Sequence, residues 1–324
     1  MRFPTPLRSV VFLIALVACA NSPHAQPHAG PGADIAELWQ EPLDLLQRDL
    51  FNGPGGPELA PPPNGTYQFV AFKTTGTNPG YDVKDASGRL WSVKLGIEAQ
   101  SEVTASRLLW AMGFPQPATY FLEQFTLTGA DAGVKTHARF RTDLAEWRSN
   151  GEWSWQDNPF TDATQFRGLI VAQLVLNNWD LKTTNNRVYE ATDPAATPRR
   201  QFMVRDVGSS LGHSKQFRLF AMLGTRGAQG SKNDVDGFEQ QGFIDKVEGN
   251  KVRFDYRGMN QALVDSVTVP DVIWACEQLA KIPDGQWQAA FKAGWYPPEH
   301  ADRYIRKIKE KIAQGLALRA TATR

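Results

Sequence analysis

Four residues in one short region have the types and the spacing to handle a charged, oxygen-rich group. Asp180, Lys182 and Asn185 stand as D-x-K-x-x-N, and beyond a connecting loop the apolar run Phe202 to Val204 delivers Asp206 and Gly208 as D-x-G. A carboxylate such as Asp180 can orient a hydroxyl or take its proton, and an ammonium such as Lys182 can neutralise developing negative charge. Side-chain oxygens of Asn185 and Asp206 are the hard donors that Mg²⁺ prefers. Asn186 offers the same oxygen as its neighbour, and spacing alone leaves both open as ligands.

The surrounding pattern predicts how these residues are held. The run FRGLIVAQLVLNNW reads as a largely buried helix leading straight into Asp180, with Asp162 and Gln165 resembling a capping box at its start. Arg187 to Tyr189 and Phe202 to Val204 read as a strand pair joined by the loop Glu190 to Arg200. Such a hairpin brings Asn185 and Asp206 to one end, where two oxygens can share a Mg²⁺ beside phosphates.

Upstream, alternating runs beginning at Tyr67 and Tyr81 predict strands, with Asp85 to Gly88 as a hairpin turn. The loop Thr75 to Gly80 carries Gly76 and Gly80, which let backbone N–H groups approach a phosphate, or simply make a turn. Lys94 closes the next strand. A helix is expected from Ser101-Glu102 to Gly113, with Val103, Leu108, Leu109 and Met112 as its buried stripe. This places Glu102 in the first turn and Glu98 before it. Glu102 either pairs with Lys94 or merely suits a helix N-terminus. Thr119 to Thr128 and Val134 to Phe140, separated by the GADAG turn, complete a sheet of about five strands.

Taken together, Lys94, Glu102, D-x-K-x-x-N and D-x-G resemble the protein-kinase-like superfamily in its atypical branches, namely HipA-type, phosphoinositide-type and secretory-pathway kinases. The resemblance implies an α+β, two-lobed fold, with an N-lobe at 65–145 that is mainly antiparallel sheet with one key helix and a mainly helical C-lobe at 146–318. It implies ATP and Mg²⁺ as cofactors, Lys94 and Glu102 with Gly76 and Gly80 on the nucleotide, and Asn185 and Asp206 on the metal. Asp180 would orient the acceptor hydroxyl and Lys182 would neutralise the transferred group. The short interval from Lys94 to Glu102 and the run EVTASRLLWAMGF are most similar to HipA-type proteins. Asn178-Trp179 stands where His-Arg is usual, Val207 replaces Phe, the glycine loop is not G-x-G-x-x-G, and no A-P-E follows. These departures bear on acceptor type and regulation more than on nucleotide binding. The expected function is a phosphotransferase acting on a protein, sugar or small-molecule hydroxyl. The alternatives are AMP transfer from the same pocket and an inactive kinase fold serving as a binding module.

Arg2 and Arg8 precede the apolar run Val10 to Ala18, which has the shape of a secretory signal over residues 1–20. Leu16-Val17-Ala18-Cys19 resembles a bacterial lipobox, which would tether the protein to a membrane through a lipidated Cys19; simple cleavage after Ala20 or Ala25 is the alternative. The protein is thus expected to be exported, periplasmic or anchored at the outer membrane. Residues 21–64 read as a tether and N-terminal extension, with a broken helix over Asp34 to Phe51 interrupted by Pro42, then a Gly/Pro linker. Removal of the signal leaves Cys276 as the one cysteine, so no intrachain disulfide is expected. A net charge of +1 over 324 residues argues against nucleic acid as a partner.

The remaining sequence is less specific. Trp147, Trp153 and Trp155 could stack on a ligand or, more commonly for such clusters, pack an insert. Gly224 to Gly242 reads as a long loop, where Asp234 and Asp236 hint at calcium without an EF-hand spacing. A hairpin around Gly249-Asn250, a helix opened by Pro270, another over Trp287 to Ala293 and a basic amphipathic helix over His300 to Leu318 follow. That basic face is either solvated or suited to an anionic membrane surface. His213 and His300 have no partner constellation and are given no role.

Overall fold

Alternation between inward apolar and outward polar residues shapes the first half of the chain. In the computed structural model, which describes residues 33–74, 78–214 and 230–322, strands β1 (Thr66–Phe72), β2 (Gly80–Lys84), β3 (Leu90–Leu95), β4 (Ala118–Thr128) and β5 (Gly133–Thr142) close a barrel in the order β1-β2-β3-β5-β4. All neighbours are antiparallel except β1 and β4. Tyr67, Val83, Trp91, Val93, Phe125 and Phe140 fill its interior. The Asp85 carboxylate accepts from Ser87 and Arg89 N–H and from Trp91 Nε1, which fixes the hairpin turn.

Between β3 and β4, helix α1 (Glu98–Ala111) wedges the barrel against the helical half. It starts a turn earlier than Ser101, because Gly96, at φ 95°, turns the chain sharply out of β3 and its carbonyl accepts from Ala99 N–H. Glu98, expected outside the helix, thus occupies its first turn. Buried Arg107 donates to the carbonyls of Asn52 and Phe51, so the N-terminal extension seals the back of α1.

That extension is not one broken helix. It forms short 3-10 turns at Ile35–Glu37, Gly53–Gly55 and Pro57–Leu59, and Pro42 and the glycines prevent longer runs. Leu38, Leu45 and Leu50 are buried in the main core, and Glu37 makes a bidentate contact with Arg200, at 2.8 Å from Nη2.

The rest of the described chain is mainly helical. It contains α2 (Thr164–Val175), α3 (Val235–Gln240), α4 (Gln261–Val264), α5 (Val269–Ala280), α6 (Asp284–Ala293), α7 (Pro298–Ala317) and α8 (Arg319–Ala322). Two small sheets join them, β6 (Trp147–Ser149) with β7 (Asn186–Ala191) and β8 (Arg200–Val204), and the hairpin β9 (Ile244–Glu248) with β10 (Lys251–Phe254). The capping box expected at Asp162 does not form. The N-cap position of α2 falls on Ala163, and Arg167 instead stitches the entry by donating to Thr161 and Asp162 carbonyls while pairing with Asp271 at 2.9 Å. Trp153 and Trp155 are buried and pack edge-on at 4.9 Å, so this pair is core.

Asp234 is the N-cap of α3, accepting from Gly237 N–H, and Asp236 pairs with Arg303. On the basic helix α7, Arg303 and Arg306 pair with Glu239 and Lys309 with Asp284, while Lys311 is buried. Among the described residues no helix is long and apolar enough to cross a membrane.

Candidate functional site

Lys94 lies near the end of β3, and its Nζ meets three carboxylates. It is 2.7 Å from Asp206 Oδ2, 2.8 Å from Glu102 Oε2 and 3.1 Å from Glu98 Oε2. Glu98 and Glu102 are four residues apart on α1 and so share one helix face. Burial by itself opposes the ammonium charge, but the carboxylates of Glu102 and Asp206 outweigh it and hold the Lys94 pKa above the ordinary lysine value. Burial likewise pushes the Asp206 carboxyl up, and the charge and hydrogen bond of Lys94 overcome this to hold it well below the usual carboxylate range.

Glu102 is 1% exposed and serves more than Lys94. Arg139 Nε lies 2.8 Å and Arg141 Nη1 3.3 Å from its Oε1. Only Arg141 reaches it with hydrogen-bond geometry; Lys94 and Arg139 approach off-line, so those two contacts are charge pairing rather than directed bonds. Sequence reasoning missed both arginines and the contribution of Glu98. The signal was the alternation of β5: Ala138 and Phe140 point into the barrel, so Arg139 and Arg141 must share the opposite face, towards α1.

On the helical side, two asparagines set the loop after α2. Asn177 adopts the left-handed conformation at φ 55°, donates to Gly212 carbonyl at 2.7 Å and accepts from buried Lys311 at 2.6 Å. Asn178 donates to Gln173 at 2.8 Å and accepts from Asp180 N–H at 3.2 Å. Asn178, the first residue of the Asn178-Trp179 pair that stands where His-Arg is usual, thus holds the Asp180 backbone by a hydrogen bond. Lys182 Nζ is 2.8 Å from Asp180 Oδ2.

Asn185 and Asp206 meet at the open end of the β7–β8 hairpin. The backbone N–H groups of Arg205 and Asp206 donate to Asn185 carbonyl at 2.8 and 3.1 Å. Asn185 Nδ2 is spent on Asp180, at 2.7 Å from its carbonyl, which leaves Oδ1 as the oxygen for a cation. Asn186 does not compete: its side chain is buried and donates to Trp153 carbonyl.

Gly208 is tightly packed. A Cβ there would lie 3.0 Å from Glu98 Cβ and 3.3 Å from Glu102 Oε2, while Ser101 Oγ donates to its carbonyl at 2.7 Å. The D-x-G turn thus docks directly on α1.

A cavity of about 670 Å³ lies between barrel and helices, lined by Gly80 and Lys94 from above and Asp180, Lys182, Asn185 and Asp206 from below. Glycine at position 80 is required by the β2–β3 contact, because a Cβ would sit 2.4 Å from Val93 carbonyl oxygen. Gly76 lies outside the described residues. Glu102 lies on α1 behind Lys94 and does not line the cavity, so its contact with the site is through the lysine. The donor set at the cavity suits Mg²⁺, because the Asp206 carboxylate and the Asn185 side-chain oxygen are hard ligands, whereas the cluster of Glu98, Glu102 and Asp206 oxygens surrounds the Lys94 ammonium.

A closed sheet-rich lobe carrying a lysine and its helix glutamate, set on a helical lobe carrying the D-x-K-x-x-N loop and the D-x-G turn, makes a two-lobed α+β fold. No protein-family model matches the chain, and no curated protein matches it in sequence. Among solved structures it is similar to the Helicobacter pylori proinflammatory kinase CtkA, with 12% identity over 81% of this chain and 99% of that one and a TM-score of 0.48. It is also similar to the Golgi casein kinase with Mn and ADP bound, at 8% identity, 80% and 74% coverage and a TM-score of 0.40. A third is the Rio2 kinase of Chaetomium thermophilum in an ADP/Mg²⁺-phosphoaspartate complex, at 14% identity, 76% and 72% coverage and a TM-score of 0.31.

Proposed function

We propose that the protein is a kinase-like phosphotransferase that uses ATP and Mg²⁺ to modify a hydroxyl acceptor. The observation that carries this reading is the convergence on one cavity of Lys94, held by Glu102 at 2.8 Å and Asp206 at 2.7 Å, with Asp180 and Asn185 across from it. Two lobes with no chemistry to perform would not need a buried lysine and carboxylate network open to a polar cleft.

In this reading Lys94 binds the phosphates, and Asn185 and Asp206 hold Mg²⁺. The metal would neutralise charge on the phosphate oxygens. Asp180 orients the acceptor hydroxyl and receives its proton as the acceptor oxygen bonds to the γ-phosphorus. The bond from that phosphorus to the β-bridging oxygen breaks, and ADP leaves. Lys182, paired with Asp180 and half exposed at the cleft mouth, is placed to neutralise the group in transit. The catalytic effect is thus mainly positioning and charge compensation.

The short Lys94 to Glu102 interval favours the HipA-type branch, and the N-terminal sequence favours export with Cys19 as a lipid anchor. Both belong to this proposal. Mass spectrometry of the protein and of envelope extracts incubated with Mg·ATP tests it. Phosphate added by wild type and lost with Asp180→Asn is expected. AMP in its place would change the transferred group, and the absence of any transfer would leave only the binding-module alternative.

A further inference from the structure

We infer that Lys232 is a second phosphate-binding lysine of this cleft, an inference that rests on the nucleotide reading above. Lys232 Nζ donates to Glu98 Oε1, and Lys94 Nζ lies 3.1 Å from Glu98 Oε2. Two ammonium groups, one from each lobe, therefore stand one carboxylate apart, and both line the same cavity. The Lys232 ammonium also sits 5.2 Å from the ring centre of Trp179, the residue before Asp180.

The backbone presenting Lys232 is built to hold it still. Ser231 N–H donates to His213 carbonyl at 2.9 Å, Trp179 Nε1 donates to Ser231 carbonyl at 3.0 Å, and Ser231 Oγ donates to Asp234 Oδ2 at 2.6 Å. On the other side Asn233 N–H donates to Ser210 carbonyl at 3.1 Å, and Asn233 Nδ2 to Gln100 Oε1 on α1 at 3.0 Å. A Cβ at Gly230 would lie 2.2 Å from His213 carbonyl oxygen, so the strap passes as close as a backbone can. An ordinary surface lysine has no such support.

A polyphosphate seated at Lys94 carries several negative oxygens, and a lysine ammonium binds them as a compact point charge. Glu98 pairs with both lysines, and phosphate oxygens would take over as partners of Lys232. The competing role is mechanical, with Lys232 only tying the helical lobe to α1 through Glu98.

Calorimetric titration with Mg·ATP, Mg·ADP and adenosine separates the two. Lys232→Met is expected to raise Kd for Mg·ATP about tenfold, or ~1.4 kcal/mol, with a smaller rise for ADP and none for adenosine, and Lys232→Arg to restore most of it. In wild type, Mg·ATP but not adenosine is expected to protect Lys232 from acetylation, a readout independent of how the variants fold. Equal losses for all three ligands, unchanged Mg·ATP affinity, or Lys232 acetylated equally with and without Mg·ATP would overturn the inference while leaving the kinase-like reading standing. Failure of wild type to bind Mg·ATP would overturn both.

Discussion

Replacing Glu102 by Gln removes one negative charge and almost no volume from the most buried point of the site. The carboxylate at 1% exposure faces Lys94, Arg139 and Arg141 at 2.8, 2.8 and 3.3 Å. Lys94 keeps Glu98 and Asp206, so the groups left uncompensated are the two guanidiniums. Each retains one backbone acceptor, Ser92 carbonyl for Arg139 and Arg205 carbonyl for Arg141. Breaking a buried pair by removing one partner costs about 3–5 kcal/mol, and the retained contacts place this variant near ~3 kcal/mol. For a chain of this size that corresponds to a fall in Tm of about 6 °C. Thermal unfolding followed by circular dichroism measures it. The double variant Arg139→Met with Glu102→Gln should fall by less than the sum of the singles, because each removes part of the other's burden. A Glu102→Gln protein melting within ~1 °C of wild type would refute the claim that this network is a buried charge cluster holding α1 to the barrel.

Gly208→Ala should destabilise by about 1–3 kcal/mol, since its Cβ would press on Glu98 and Glu102 at 3.0 to 3.3 Å; urea unfolding checks this, and the D-x-G turn should lose its grip on Lys94 at the same time. Lys311 gives a pH signature. It is fully buried against Val175 carbonyl and Asn177 Oδ1, and burial pushes its pKa well below the ordinary lysine value. The unfolded chain therefore binds more protons than the folded one between that lowered pKa and about 10.4, so this group makes stability rise with pH across the window. Lys311→Met should flatten that rise in urea titrations at stepped pH, and an unchanged slope would show that Lys311 does not titrate there.

Much of the barrel was legible because period-2 alternation is a strong signal when one face is buried, as it is in β1 and β3, whereas β4 and β5 are buried on both faces along half their length. Lys94, Asp180, Asn185 and Asp206 could be placed together because each sits at the end of an element whose type is readable. What stayed hidden were contacts between elements far apart in the chain. Arg139 and Arg141 reach Glu102 across 37 and 39 positions, and Lys232 reaches Glu98 across 134 positions of sequence. The start of α1 was misplaced because no side chain caps it, the turn being made by Gly96 backbone. Asp34 to Phe51 carried a helical spacing of apolar residues, but Leu38, Leu45 and Leu50 are buried by the main core while Leu43 and Leu46 are exposed, so no one helix face is buried. Tertiary burial used the same residues in a different backbone.

The most direct test of the central claim is Mg²⁺-dependent nucleotide binding by the folded protein, measured by calorimetry on wild type and Asp206→Ala. Because Asp206 is the carboxylate shared between Lys94 and the proposed metal position, wild type should bind ATP only with Mg²⁺ present, and Asp206→Ala should lose that dependence. Equal binding by both proteins, or none by wild type, would contradict it.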